Sequence, residues 1–429
     1  MSNGSRIRKL ALVVGGGPAP GINGVISAVT LEALNHGIEV YGIRDGYKRI
    51  VQRDLTAIEP LTRDNMRGLH TRGGSYLGTA RTNPTKKPED MQALVETFKK
   101  MEFDALVSIG GDDTAFSASQ VYKTFNGAVK VAHVPKTIDN DLPLPGSTPT
   151  FGFETARQVG VSLVRNLYED ARTTSRWYLI VSMGRAAGHL ALGIGKAAAA
   201  TLTIIPEEFN GKEITLDHLC DIIVGSIVKR AAEGQRYGLV VLAEGLIGAV
   251  GEKALVAAME SSKGRYGTVE VDPHGHLRLG EIEFGRMIKD LLTERLKSLK
   301  LNTTFIDKDL GYELRCADPI PFDIEYTRDL GYGAVKFLRS DESSKYGAII
   351  SFIQGRMEPL PFEQMLDPRT KRMQTRVVDV RGEGYECARR YMTRLEKADF
   401  QSDSAITRLA QTVGLSNDEF RKRFGYLPE

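Results

Sequence analysis

The residues best suited to chemistry are four carboxylates at the ends of two apolar runs. Asp112 and Asp113 follow a Gly-Gly turn, while Asp139 and Asp141 follow Lys136, Thr137 and Ile138. Each set closes a β-branched run, residues 105–109 and 129–134, which is how buried parallel strands hand the chain to functional loops. Four carboxylates converging there would repel one another, each pKa unit of perturbation costing about 1.4 kcal/mol. A divalent metal and Lys136 relieve that repulsion. A base for an incoming hydroxyl, a metal across phosphates and cations aimed at phosphate oxygens are what phosphoryl transfer requires.

The elements that must position these loops are legible around them. Residues 10–14 read as a strand, the turn GGGPAPGIN follows, residues 25–35 repeat apolar side chains at helical spacing, and residues 38–43 read as a second strand. Strand, glycine turn, helix, strand is a doubly wound α/β opening. The turn lacks the dinucleotide-binding GxGxxG spacing, but its backbone N–H groups at a helix N-terminus suit phosphate, with Gly16 and Gly17 the candidates. Pro88–Met101 starts with Pro, Glu89 and Asp90 and ends with Lys99 and Lys100, complementing the helix dipole. From residue 151 to 172 helical periodicity persists for about six turns. Beyond it the pattern repeats: strand 177–182 with loop MGRAAGH, strand 202–205 with PEEF, strand 239–242 with AEG. Asp113 is also expected to cap a helix starting at Thr114.

With 429 residues, the chain is too long for one core of ordinary size. Its net charge of +3, from 57 Lys and Arg against 54 Asp and Glu, excludes a general binder of nucleic acid or anionic membranes. Three widely spaced cysteines (Cys220, Cys316, Cys387) form neither a disulfide framework nor a zinc pattern. No signal-peptide core and no apolar run of about 18 residues appears, so a cytoplasmic protein without membrane partners is expected.

GGDD followed by PKTIDND, with MGR and GYELR further along in the same order, resembles the phosphofructokinase family, in particular its pyrophosphate-dependent branch. The resemblance covers roughly residues 8 to 360 and is specific in combination, although each motif alone is weak. It implies two doubly wound, Rossmann-like α/β domains with the active site in the cleft between them, plus a helical C-terminal extension. The expected division is 1–152 with 315–365 for the phosphoryl donor, 153–314 for the sugar phosphate, and 366–429 as a mainly helical segment. Asp139 is implied as the base that takes the proton from a sugar 1-hydroxyl, and Asp112 with Asp141 as the Mg²⁺ ligands. Gly16, Gly17, Arg81, Asp113 and Lys136 are implied on the donor, Lys136 and Asp113 also acting in catalysis, and Arg81 of the GTAR motif ranking above Arg72. Thr137, Ile138, Arg176, Met183, Gly184, Arg185, Glu244, Tyr312, Glu313, Leu314 and Arg315 are implied on fructose 6-phosphate, Arg185 also acting in catalysis. Arg176 matches an arginine that family members reach with across a subunit interface, which implies a homodimer or homotetramer.

Donor choice rests on two positions. Family members that use ATP carry glycine where this chain has Asp113 and Lys136. A carboxylate at 113 crowds and repels a nucleotide α-phosphate, while an ammonium at 136 adds a point charge for pyrophosphate. The chain departs from the ATP pattern further at Tyr312, at Pro18, and at Ile306, where that pattern has another phosphate-contacting arginine. The alternatives are an ATP-dependent 6-phosphofructokinase and a non-catalytic regulatory subunit of the same fold. His189 reads as helix packing. The Gly-Leu-Ser stretch within residues 410–425 resembles a helix-turn-helix turn, but its mixed charges argue against DNA binding.

Overall fold

A computed structural model describes residues 7–428 except 210, 263, 268–281 and 370–372. The side chain of Ser147 is likewise outside the description. Among the described residues the strands are, in chain order, β1 (Lys9–Val14), β2 (Glu39–Ile43), β3 (Ile58–Leu61), β4 (Ala105–Gly110), β5 (Lys130–Pro135), β6 (Trp177–Ser182), β7 (Leu202–Ile204), β8 (Gly238–Ala243), β9 (Phe305–Leu310), β10 (Ala348–Ile353) and β11 (Arg356–Pro361). They form two sheets, one in each of two compact units. Unit 1 holds the chain up to Val159 together with Tyr312–Arg376, and unit 2 holds Gly160–Gly311 and the chain from Val377 onward.

In unit 1 the sheet order is β11-β10-β5-β4-β1-β2-β3. The inner strands are parallel, whereas β3 and β11 join antiparallel at the two edges. Those edges carry Pro60, Pro359 and Pro361, which cannot donate to a further ladder. The central strands are covered on both faces. Leu10, Leu12 and Val14 of β1 point into one apolar cluster with Val107 and Ile109, and Ala11 and Val13 into another with Leu106 and Val131. This is why β1, β4 and β5 read as continuous apolar runs. The register pairs Val14 with Ile109 and Gly110 with Pro135, so the loops leaving β1, β4 and β5 emerge at one edge.

Unit 2 carries the all-parallel order β7-β8-β6-β9. Its core is built on Trp177, Val240 and Leu242 together with helices Leu216–Ala232 and Phe284–Ser298. The expected division of the chain changes at three places. The helix predicted over 151–172 forms as Phe153–Thr174, and the division falls within it, at Val159/Gly160, rather than at 152. Tyr312–Leu314 join unit 1, not the sugar-phosphate domain. Residues 366–429 are not a body of their own: Leu366–Arg376 stay with unit 1, and Ile406, Leu409, Phe420 and Phe424 complete the core of unit 2. The short amphipathic helices Asp403–Thr412 and Asn417–Phe424 need that core to bury their apolar faces. The stretch that looked like a helix-turn-helix is therefore occupied in packing.

If the C-terminal helices are integral to unit 2, Phe420→Ala lowers stability by about 3–5 kcal/mol, as expected for deleting a fully buried ring. Chemical denaturation followed by the fluorescence of Trp177 in the same core reads it. An unchanged transition would mean that the segment is an appendage.

Candidate active site

The glycine turn after β1 is locked by close backbone approach. A Cβ on Gly15 or on Gly110 would meet the Thr114 side chain at 2.6 and 2.4 Å, so only glycine lets β1 and β4 exit side by side over that threonine. Gly15 N–H donates to Ile109 O at 2.8 Å and Gly16 N–H to Ala80 O at 2.9 Å. Gly16 is left-handed at φ 84°, which turns the chain toward Gly17. The second bond sets exposed Arg81 beside the turn. Arg72 is exposed, and its carbonyl accepts from Asn23 Nδ2 at 3.1 Å.

Helix Asp112–Thr124 starts two residues earlier than expected, so Asp113 is not its cap. Gly111 is the N-cap, without a side-chain bond, and Asp112 and Asp113 lie exposed in the first turn, where the helix dipole favours carboxylates. Beneath them His133 is fully buried, its ring nitrogens 3.2 Å from Ser108 Oγ and 3.0 Å from Gly110 O. Burial pushes its pKa down to about 3, so it stays neutral and serves as a prop for the β4 exit.

Lys136 is the centre of this edge. Its side chain is only 5% exposed, and Nζ donates to Gly17 O at 2.6 Å. Burial, aided by the Arg315 guanidinium, drives its pKa down to about 8 against the opposing pull of Asp139, Asp141 and Asp112. Burial, reinforced by the charge of Asp112, pushes the Asp141 carboxyl above the usual carboxylate range. Lys136 and Asp141 thus share one electrostatic neighbourhood with Asp112, and Lys136 also feels the charge of Asp139.

The loop after β5 is held by its own polar atoms. Thr137 Oγ1 accepts from Asp139 N–H at 3.0 Å, Thr150 Oγ1 donates to Thr137 O at 2.8 Å, and Thr150 N–H donates to Asn140 Oδ1 at 3.0 Å. Asn140 is left-handed at φ 57°. Ile138 is buried.

Residues of the GYELR motif fall on both sides of the expectation. Arg315 joins the glycine turn: a Cβ on Gly17 would lie 2.7 Å from its Nη2, and its guanidinium sits 5.1 Å from the Tyr312 ring centroid. Tyr312 is 78% exposed and Glu313 is exposed, whereas Leu314 is fully buried, so its side chain cannot reach a ligand. In unit 2, the loops after β6 and β8 meet. Gly184 N–H donates to Glu244 Oε2 at 3.1 Å, Gly245 N–H to Gly184 O at 3.1 Å, and Glu244 N–H to Ser182 O at 2.9 Å. Met183 packs on Gly311, leaving Arg185 exposed beside them. Arg176 lies in unit 2, half-buried, with its Nε 4.0 Å from Asp170 Oδ2, beyond hydrogen-bonding distance. Ile306 pairs with Tyr178 inside the sheet, so that position supplies no charge.

No three His, Cys, Asp or Glu side chains converge as a metal cage among the described residues. Asp141 lies near enough to Asp112 for that charge to raise its pKa, and Mg²⁺ commonly takes one or two protein carboxylates, completing its shell with water and substrate phosphates.

Sequence reasoning missed two groups that hold this edge together. Asp323 is fully buried and accepts from Gly152 N–H at 2.8 Å, Thr155 N–H at 2.8 Å and Thr155 Oγ1 at 2.5 Å, tying helix Pro321–Leu338 to the start of Phe153–Thr174. Arg376 binds the carbonyls of the β5 loop. An acid in the first turn of a long amphipathic helix hinted at the former; nothing in the sequence marked the latter.

A family model described as phosphofructokinase matches residues 9–338. The chain belongs to the phosphofructokinase family. A protein of Thermotoga maritima named pyrophosphate–fructose 6-phosphate 1-phosphotransferase is 49% identical over 421 residues, spanning 98% of this chain and 99% of that one. A protein of the same name from Naegleria fowleri is 48% identical over 97% of this chain and 95% of its own. Among solved structures, a pyrophosphate-dependent phosphofructokinase of Nitrosospira multiformis superposes with a TM-score of 0.67 at 17% identity, over 95% of this chain and 92% of that chain, which speaks for the fold alone. Arg376 lies beyond the part of the chain that matches the phosphofructokinase model.

With a pKa of about 8, Lys136 carries its proton below that pH and loses it above. Affinity for an anionic ligand at the glycine turn therefore falls as pH rises through about 8. Lys136→Arg, whose guanidinium stays charged, moves that fall beyond pH 10. The pH dependence of kcat/KM checks it; an identical profile in wild type and variant would remove Lys136 from ligand binding.

Proposed function

We propose that the chain catalyses reversible transfer of a phosphoryl group from pyrophosphate to the 1-hydroxyl of fructose 6-phosphate, giving fructose 1,6-bisphosphate and orthophosphate. The observation that carries this reading is near-50% identity along essentially the whole chain to two proteins bearing that name. The neighbourhood of Lys136, Asp112, Asp139 and Asp141 supports it by supplying what in-line phosphoryl transfer needs.

In this reading Asp139 accepts the proton of the sugar 1-hydroxyl as its oxygen bonds to phosphorus. The bridging P–O bond breaks, and orthophosphate leaves with the electron pair. Lys136, Arg315 and the N–H groups of Gly16 and Gly17 hold the donor, Arg81 flanks it, and Asp113 repels a nucleotide α-phosphate. Asp112 and Asp141 hold Mg²⁺, which would neutralise charge on the phosphates. Arg185, Glu244, Met183 and Gly184 take the sugar phosphate, with Thr137, Ile138, Tyr312, Glu313 and Leu314 completing its surroundings through backbone or side chain. Arg185 also offsets charge on the transferring group. In reverse, orthophosphate attacks the 1-phosphate of fructose 1,6-bisphosphate, the sugar O–P bond breaks, and Asp139 returns its proton to the departing sugar oxygen.

Arg176 reaches the sugar phosphate of a neighbouring subunit in a homodimer or homotetramer. We place the chain in the cytoplasm, where small phosphorylated metabolites are at hand, and its near-neutral charge suits such partners over nucleic acid or lipid. No helix among the described residues is long and apolar enough to cross a membrane.

Purified protein with fructose 6-phosphate and Mg²⁺, offered pyrophosphate and ATP in parallel, is expected to turn over pyrophosphate and not ATP. Asp113→Gly with Lys136→Gly is expected to lose pyrophosphate turnover by at least about a hundredfold. Robust ATP turnover by the wild type would overturn the donor, and no turnover with either would favour a regulatory subunit.

A further inference from the structure

The loop that bears Asp139 and Asp141 is clasped by a residue beyond residues 9–338, the part of the chain that the phosphofructokinase model matches. The backbone N–H of Arg376 donates to Asp141 O at 2.6 Å. Its side chain spreads over the same loop: Nε donates to Asn140 O at 3.1 Å, Nη1 to Thr148 O at 2.8 Å and Leu144 O at 3.4 Å, and Nη2 to Asn140 Oδ1. One guanidinium therefore ties together both limbs of the turn that runs from residue 139 to Thr150. Its target, Asn140, is the residue between the two carboxylates and stands in the left-handed region at φ 57°. Asn is one of the few non-glycine residues that adopt this conformation readily, because its short polar side chain can hydrogen-bond locally. Asn140 Oδ1 is shared between the Arg376 fork and Thr150 N–H, so side chain and backbone of Asn140 are fixed together.

We infer that Arg376 is a positioning residue for the phosphoryl-transfer site: its fork holds Asn140 in the turn that aims Asp139 at the sugar hydroxyl and Asp141 at the metal. Arg376 touches neither substrate in this account and acts through the loop. The planar fork is the feature that matters, because Asn140 O, Asn140 Oδ1 and Thr148 O lie in different directions and an ammonium cannot serve them from one plane. The inference rests on the proposed phosphotransferase reading.

The test compares full-length wild type, Arg376→Met and Arg376→Lys in steady-state turnover of pyrophosphate and fructose 6-phosphate across a Mg²⁺ titration, with thermal melts alongside. For Arg376→Met, kcat is expected to fall by at least about tenfold and half-saturating Mg²⁺ to rise by a similar factor, as for other residues that orient metal ligands. The KM for fructose 6-phosphate stays within about twofold. Arg376→Lys keeps the charge and remains impaired in both quantities. A purely structural role would reduce the amount of folded enzyme and leave half-saturating Mg²⁺ where it is; that result, or a fully active Arg376→Lys, overturns the inference. Should Arg376→Met not fold, Arg376→Lys alone decides. Should wild type itself be inactive, the functional reading fails separately, and calorimetric titration with MgCl₂ then judges Arg376: weaker binding by the variants supports the clasp, and equal binding refutes it.

Discussion

The edge of unit 1 depends on a buried ammonium. Lys136 has lost most of its water, and an isolated charge in such a place would be expelled or neutralised. It stays because Gly17 O accepts its proton and because Asp139, Asp141 and Asp112 surround it with negative charge. The balance is not even. Burial together with Arg315 outweighs the three carboxylates, leaving the lysine easier to deprotonate than in water, while Asp141 is harder to ionise than in water. A site in which cations and carboxylates each strain against burial has spare capacity for a polyanion and its metal, whose charges satisfy both sets.

The scaffold explains how that arrangement is held. Parallel strands buried on both faces leave no freedom in register, and the pairing of Val14 with Ile109 and Gly110 with Pro135 brings three loops to one edge. Glycines at 15 and 110 let the loops converge over Thr114, neutral His133 props the exit of β4, and Asp323 and Arg376 tie the remaining segments down. Each of these is a polar group whose hydrogen bonds are made inside the fold, which favours one loop geometry over its neighbours.

Much of this was legible in the sequence because the signals are local. The apolar runs before GGDD and TIDND, the glycine turn after the first strand, and the charge gradient of Pro88–Met101 each report their own element, and β6 lies where its run of apolar residues says it should. The order of short motifs over several hundred residues carried the family resemblance. What escaped were contacts made across the chain. Leu314 shares a motif with Arg315, yet helical geometry turns the leucine into the core and the arginine toward Gly17. Phe420 and Phe424 look like the apolar side of a free-standing tail until the core of unit 2 is seen to include them. Arg376 sits in a stretch without periodicity, and its partners are backbone carbonyls, which leave no trace in residue types.

On the proposed reading, the Lys136 ammonium, set among carboxylates over the glycine turn, is the principal cation for a short inorganic donor. Isothermal titration of pyrophosphate with Mg²⁺ into sugar-free wild type and Lys136→Met, both verified as folded, tests it most directly. Affinity is expected to drop by at least about tenfold in the variant, the loss of one charge-assisted contact. Equal affinity in the two proteins would contradict it.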